Sequence, residues 1–374
     1  MAGLYIHVPF CASRCIYCDF YSTTGRNRSL FVDRVLDELT ISVNSGLIAS
    51  PGTQFATVYI GGGTPSQLGS ADLVRLVDGL QQRIDLSHVV EFTLEVNPED
   101  VTAEFVDAFP PAINRVSMGV QSFVDAELRM LRRRHDARRP AQAVALLRRR
   151  GITNISIDLM YGLPGQTLRS FDQSITEALG LGVPHISAYC LSVEEGTPLH
   201  SMVEAGQLHP ADDDQCNQMN ALLRQRLQAA GFVQYEISNY ALPGFHSRHN
   251  SSYWDGTPYL GLGPGAHSYD GHRLRFWNEP DLTAYLTGQC PRGHEELSDT
   301  DLYNERIMLS LRTRLGVNGI ALLHDFPSQC CQGFQTEVPG LIGEGLLRAT
   351  ADGHYVLTPK ALSLADTVIR RLML

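Results

Sequence analysis

The sequence predicts an α/β protein: a TIM-like partial (β/α)6 barrel with an α+β extension and a small C-terminal winged-helix-like domain. Three observations carry that reading. Through about the first 190 residues, short runs rich in β-branched and aromatic residues alternate with amphipathic helical stretches. Six strand–helix units in succession call for parallel strands joined by right-handed crossovers. Every chemically distinctive cluster falls at or just after a strand end, and clusters from many strand ends meet at one place only if the sheet curls, as at the top of a barrel.

The strands are expected at 4–8, 57–60, 90–96, 115–118, 154–160 and 185–191, each bounded by Gly, Pro or Asn. Between them, Phe31, Val35, Leu39 and Val43 recur every four residues, and Leu73, Val74, Val77 and Leu80 form a second apolar stripe. A further helix over 140–150 stops at Gly151. The clusters follow in order. Cys11, Cys15 and Cys18 come after the first strand, Gly61-Gly62-Gly63 after the second, and Glu95 with Asn97-Pro98 at the end of the third. Gly119-Val120-Gln121 follows the fourth, and Asp158 with Gly162-Leu163-Pro164-Gly165 belongs to the fifth.

Beyond about residue 195 the pattern changes. Asp212-Asp213-Asp214 makes an acidic cap for a helix running toward Ala230, and a Gly- and Tyr-rich stretch follows, with His246, His249, Asn250, Tyr253, Trp254 and His267. From about residue 298 the chain reads as helices, a short strand pair around Gly353 and a last helix. The expected division is a core over 1–230, an extension over 231–297 and a C-terminal domain over 298–374.

Thirty basic against forty acidic side chains give a formal net charge of −10, which argues against non-specific binding to nucleic acid or anionic membranes. The basic runs Arg132-Arg133-Arg134 and Arg148-Arg149-Arg150 sit near expected helix ends and read as solvated faces. No run of 18 apolar residues exists, and the N-terminus enters strand-like sequence with no secretory pattern. Eight cysteines scattered over 374 residues make no disulfide framework, and a reduced metal-binding set places the chain in the cytoplasm.

The spacing Cys11-x3-Cys15-x2-Cys18 supplies three thiolates, one short of a closed site. A [4Fe–4S] cluster on three ligands keeps one iron open for chemistry; a zinc knuckle completed by His7 is the alternative. The glycine run is neither a dinucleotide fingerprint nor a P-loop, since the later glycine and the Lys-Ser/Thr pair are absent. Bare backbone there lets a ligand approach the main chain.

The cysteine triad together with "YIGGGTPS", "LEVNPE", "RVSMGVQSF", "IDLMYGLPGQT" and "HNSSYW…YLGLGPGAHSY" resembles the radical S-adenosylmethionine (SAM) proteins. More narrowly, the chain is similar to the oxygen-independent coproporphyrinogen III oxidase family and to its haem-chaperone branch, from residue 4 to about 270. The resemblance implies that Cys11, Cys15 and Cys18 each bind one iron of a [4Fe–4S] cluster and that SAM chelates the fourth. It implies SAM contacts from Tyr5, Gly62, Gly63, Thr64, Glu95, Gln121, Arg133 and Asp158. Reductive cleavage of the sulfonium to a 5′-deoxyadenosyl radical is the chemistry that follows, with an electron donor such as flavodoxin or ferredoxin.

Two departures favour the haem carrier over the oxidase. The oxidases continue Cys-x-Cys, whereas Cys18-Asp19 is followed here by Phe20, and the chain begins only ten residues before Cys11. The expected cargo is haem, passed to acceptor proteins, with coproporphyrinogen decarboxylation as the alternative activity. Haem iron needs an axial ligand, and His249, beside Tyr253 and Trp254, is the leading candidate, with His246 and His267 behind it. A nucleic-acid role for the winged-helix-like region is disfavoured because 298–374 lacks a basic recognition stripe. No membrane span is expected; peripheral membrane contact stays open.

Overall fold

A computed structural model describes residues 1–25, 27–46, 49 and 52–374. In chain order its elements are β1 (Ala2–Val8), α1 (Arg28–Ser45), β2 (Phe55–Gly62), α2 (Ser70–Gln81), β3 (Glu91–Val96), α3 (Ala103–Asp107), β4 (Arg115–Gln121), α4 (Asp125–Met130), α5 (Arg139–Arg149), β5 (Asn154–Tyr161), α6 (Leu168–Gly180) and β6 (His185–Cys190). Strands β1 to β6 pair in sequence and all run parallel. The pleat sorts their side chains. Leu4, Ile6, Val58, Ile60, Phe92, Leu94, Val116, Ile155, Ile157 and Ile186 lie fully or almost fully buried in one continuous core that includes Phe31, Val35 and Leu39 of α1. Each such side chain contributes about 1.5–3 kcal/mol on leaving water. The alternate positions carry Tyr5, Tyr59, Glu95, Ser117, Asp158 and Ser187, so the inner face of the curled sheet is polar.

The expected strand ends hold or move by up to three residues, and the helix predicted over 140–150 is α5, with Gly151 in a left-handed conformation (φ 93°). After β6 come α7 (Pro198–Glu204), α8 (Asp213–Ala229), β7 (Val233–Gln234), β8 (Asn239–Ala241), α9 (Arg248–Trp254), β9 (Tyr259–Leu262), β10 (His267–Tyr269), β11 (Leu274–Asn278), α10 (Leu282–Leu286) and β12 (Arg292–Glu296). Asp212 caps α8 by accepting from the Gln215 amide at 2.8 Å. The extension adds to both edges of the barrel sheet, which runs β12-β11-β10-β9-β1-β2-β3-β4-β5-β6-β8-β7. Strand β9 lies parallel to β1, a pairing between residues more than 250 apart in the chain that no local pattern announces.

The last segment, α11 (Asp299–Leu311), β13 (Val317–Asn318), α12 (Gly319–Asp325), α13 (Ser328–Gly343), β14 (Leu347–Ala349), β15 (His354–Leu357) and α14 (Ala365–Leu372), has a separate three-stranded sheet. Tyr303, Ile307, Leu311, Leu322, Phe334 and Leu341 form its own core. It joins the barrel edge where the Ile237 amide donates to Arg312 O and the Arg314 amide to Tyr235 O. Among the described residues no helix is long and apolar enough to cross a membrane.

Candidate cofactor site at the strand ends

The loop after β1 carries the three cysteines and is tied back at its base, where Thr23 N donates to Pro9 O and Cys11 N to Thr23 O. All three thiols are free and half-buried. Thr64 Oγ1 lies 3.5 Å from Cys11 Sγ and Arg133 Nη1 3.5 Å from Cys15 Sγ. Leu199 N donates to Ile16 O at 2.9 Å, so the chain entering α7 covers the loop between the second and third cysteines. Burial pushes the Cys11 thiol up, partly offset by Thr64 and Ser22, and pushes Cys18 up with help from Cys15 and Cys11. Three half-buried thiols side by side are a donor set that a cationic iron–sulfur core would satisfy.

The zinc alternative fails on His7. Its Nε2 donates to Tyr21 O at 2.9 Å, its Nδ1 lies 3.0 Å from the Tyr5 hydroxyl, and the residue is only 6% exposed. Among the described residues no three His, Cys, Asp or Glu side chains converge on a single-ion site. Phe20, where the oxidases place a further cysteine, stands exposed and offers no ligand. The donor set fits a cluster whose irons are gripped one per thiolate.

The glycine run is enforced by packing. A Cβ on Gly62 (φ 111°) would fall 2.6 Å from His7 Nδ1, and one on Gly63 would fall 2.9 Å from Phe10 O. The freed backbone is then spent locally: Gly63 N donates to Val8 O and Gly62 N to Glu95 Oε2 at 3.0 Å. Glu95 also accepts from the Tyr59 hydroxyl at 2.6 Å. Burial, and then the charge of Asp158, nonetheless push Glu95 up to about 7. Burial likewise pushes Asp158 up to about 6, against hydrogen bonding from Ser187 and the charges of Arg115 and Arg133. Tyr5 stands deep on β1, its ring 6.2 Å from that of Tyr59.

Arg133 emerges as the brace of the site. Its Nη2 donates to Asn97 Oδ1 and to Gly119 O, both at 2.6 Å, while its buried Nε has no partner. Burial alone would lower it, but Tyr17, Cys15 and Glu99 hold it fully protonated. Asn97 in turn donates to Thr64 Oγ1 at 3.3 Å, linking the ends of β2, β3 and β4 to the cysteine loop. The basic run containing Arg133 is therefore not uniformly a solvated face: Arg132 and Arg134 are exposed while Arg133 is not. Asn97 and Tyr59 were missed as site residues; Asn97 was visible in the "LEVNPE" string, and nothing in the sequence marked Tyr59. Gln121 (φ 70°) and Arg132 (φ 58°) are the non-glycine residues with positive φ among those described, and both stand beside this site.

His249 lies apart from the cysteine site. It lies at the opposite, N-terminal end of the strands and is 1% exposed. Its Nδ1 is 2.8 Å from Thr57 Oγ1, its Nε2 is 2.9 Å from the Tyr253 hydroxyl, and its ring stacks on Tyr59 at 5.1 Å. Both ring nitrogens are thus engaged inside the barrel floor. The two other candidate histidines are exposed: His246 stacks on Tyr235 at 4.4 Å and His267 on Trp277 at 5.7 Å.

Residues 5–178 match the model of the radical SAM superfamily. The chain is 37% identical to the haem chaperone HemW of Mycobacterium tuberculosis over 378 aligned positions, covering 99% of this chain and 94% of that protein. The chain belongs to the HemW family. Other HemW relatives include that of Escherichia coli, 33% identical over 94% of this chain and 92% of its own. The bovine radical S-adenosyl methionine domain-containing protein 1, mitochondrial, is 35% identical over 84% of this chain and 74% of its own. Among solved structures, coproporphyrinogen III oxidase (HemN) from E. coli superposes with a TM-score of 0.83 at 22% identity, covering 100% of this chain and 90% of that one. HemW membership thus comes with the barrel architecture of that oxidase.

Proposed function

We propose that this HemW-family chain is a haem chaperone that binds haem and passes it to acceptor proteins in the cytoplasm, while carrying a [4Fe–4S] cluster and SAM. The observation that carries the reading is 37% identity to a named haem chaperone along 99% of the chain. The site supports it: Cys11, Cys15 and Cys18 present three free thiols, and His7, the fourth ligand a zinc site would call on, is engaged by Tyr21 O and Tyr5. Tyr5, Gly62, Gly63, Thr64, Glu95, Gln121, Arg133 and Asp158 take the SAM-contacting roles. When bound, cluster and SAM supply one-electron chemistry. The chain's own part is positional. Arg133 and Asn97 fix the cysteine loop against the strand ends, Thr64 steadies Cys11, and Glu95 and Asp158 provide carboxyls that ionise once a cation sits beside them.

The working units are the core over 1–230, the extension over 231–297 and the C-terminal domain over 298–374, with a flavodoxin- or ferredoxin-type electron donor as partner. We assign the axial haem ligand to the exposed pair, His246 and His267. The test is anaerobic cluster reconstitution followed by parallel incubation with haem and with coproporphyrinogen, SAM and reductant. A saturable Soret titration without protoporphyrinogen formation supports the carrier; porphyrinogen decarboxylation would establish the oxidase in its place. His246→Ala and His267→Ala then identify the ligand by loss of the haem spectrum, whereas His249→Ala leaves that spectrum unchanged.

A further inference from the structure

We propose that Cys190 and Cys216 form a redox-active dithiol that closes to a disulfide on exposure to an oxidised low-molecular-weight disulfide such as glutathione disulfide. Cys190 ends β6 and Cys216 lies in the first turn of α8, elements brought together only by the fold. A single point, where a Cβ on Gly162 would sit, lies 2.9 Å from Cys216 Sγ and 3.4 Å from Cys190 Sγ. Gly162 (φ 76°) therefore leaves a gap into which both sulfurs turn. Burial, and then the neighbouring Cys216 sulfur, push Cys190 up to about 12. Cys190 thus keeps its proton longer and serves as the resolving thiol. Cys190 is exposed at the strand end, so a small oxidant reaches the pair.

The chemistry balances without the cofactors. Cys216 thiolate attacks one sulfur of glutathione disulfide, forming a mixed disulfide and releasing one glutathione thiolate. Cys190, giving up its proton to solvent, then displaces the second glutathione thiolate. One intramolecular S–S bond forms, two protein thiols are oxidised and two equivalents of glutathione are produced. The bond would pin the start of the stretch that runs from β6 to Leu199, whose amide holds Ile16 O in the cysteine loop. Oxidation is thereby recorded on the segment that covers the oxygen-sensitive cysteine triad, at a site separate from it.

The experiment uses full-length, cluster-reconstituted protein incubated anaerobically with graded ratios of reduced to oxidised glutathione. Free thiols are then alkylated, and the chain is cut with a glutamate-specific protease. Glu194, Glu195 and Glu204 lie between the two cysteines, so the cleavage separates them unless they are bonded. The expected result is a linked peptide pair lighter by two hydrogens than the sum of its free thiol forms and split by dithiothreitol. Cys190→Ser abolishes the link and leaves Cys216 as a stable glutathione adduct. Recovery of Cys190 and Cys216 as separate alkylated or glutathione-bearing peptides at every ratio overturns the proposal. Circular dichroism of the Cys190→Ser protein separates lost folding from lost chemistry.

Discussion

At the floor of the barrel Glu91 accepts from Arg248 N at 2.8 Å and His249 N at 2.9 Å, with Ser247 Oγ at 3.4 Å, and the residue is 3% exposed. Beside it, His185 lies 2.6 Å from Ser156 Oγ and 2.8 Å from the Tyr235 hydroxyl, as completely engaged as His249. At the mouth, the same strands end in groups left wanting: two thiols, Cys11 and Cys18, pushed up by burial, two carboxyls pushed up into the range 6–7, and two non-glycine residues at positive φ. Polar side chains at one end close the structure; at the other they wait for something cationic or chelating. Stability resides in the floor and ligand affinity in the mouth, and substitutions at the two ends should separate these properties.

The largest separation is expected from paired variants. Replacing Cys11, Cys15 and Cys18 together with Ala abolishes iron and sulfide incorporation while moving the urea midpoint of the apoprotein little, because the contacts removed from Thr64 and Arg133 are long, 3.5 Å each, and both residues keep other partners. Glu91→Ala strands three donors at the start of α9 and lowers stability by about 3 kcal/mol or more. Iron analysis and urea unfolding of both variants check the pair. If the cysteine variant unfolds, or the Glu91 variant keeps full stability, the distinction between the ends is lost.

His249→Ala comes next, with a stability loss of about 2 kcal/mol from a vacated stacking site and an unpaired Thr57 hydroxyl. His249 was singled out because "HNSSYW" offers a histidine among aromatics, and it does sit among them. Sequence could not reveal which way α9 faces, since that depends on Glu91 and Thr57, contributed by strands some 160–190 residues earlier. The triad, the glycine run and the carboxylate ends of β3 and β5 were legible because each is a local string tied to a strand end. Long-range choices were not: the β9–β1 pairing, Asn97 bridging Thr64 to Arg133, and Tyr59 holding Glu95 all arise from strand register.

The two ends also oppose each other in pH dependence. Glu95 and Asp158 titrate in the folded apoprotein at about 7 and about 6, above ordinary values of 4.5 and 3.8. The folded chain therefore keeps protons that the unfolded chain has released, and this stabilisation is present at low pH and lost as pH rises through 7. His249, pushed down to about 3 by burial and then by Arg115, acts in the other sense: its contribution is full above 6.5 and lost as pH falls toward 3. Glu95→Gln with Asp158→Asn should shrink the decline in urea midpoint between pH 5 and 7.5, leaving the part set by Glu236, which burial also pushes up to about 7, and the rise set by His249. A decline as steep in the double variant as in the parent protein would mean that the mouth carboxyls are already ionised without ligand.

The smallest effect has the most specific sign. Gln121 holds φ 70° beside Gly119, where β4 slips register against β5. A side chain in that conformation is strained by about 1 kcal/mol, and Gln121→Gly relieves it. The variant also deletes the amide assigned to SAM. Thermal unfolding of the apoprotein should therefore show a small gain, while SAM binding to the cluster-loaded protein weakens. A residue kept only for packing would lose stability on truncation; one strained to meet a ligand gains stability as it loses affinity, and only the second outcome fits a mouth built for binding.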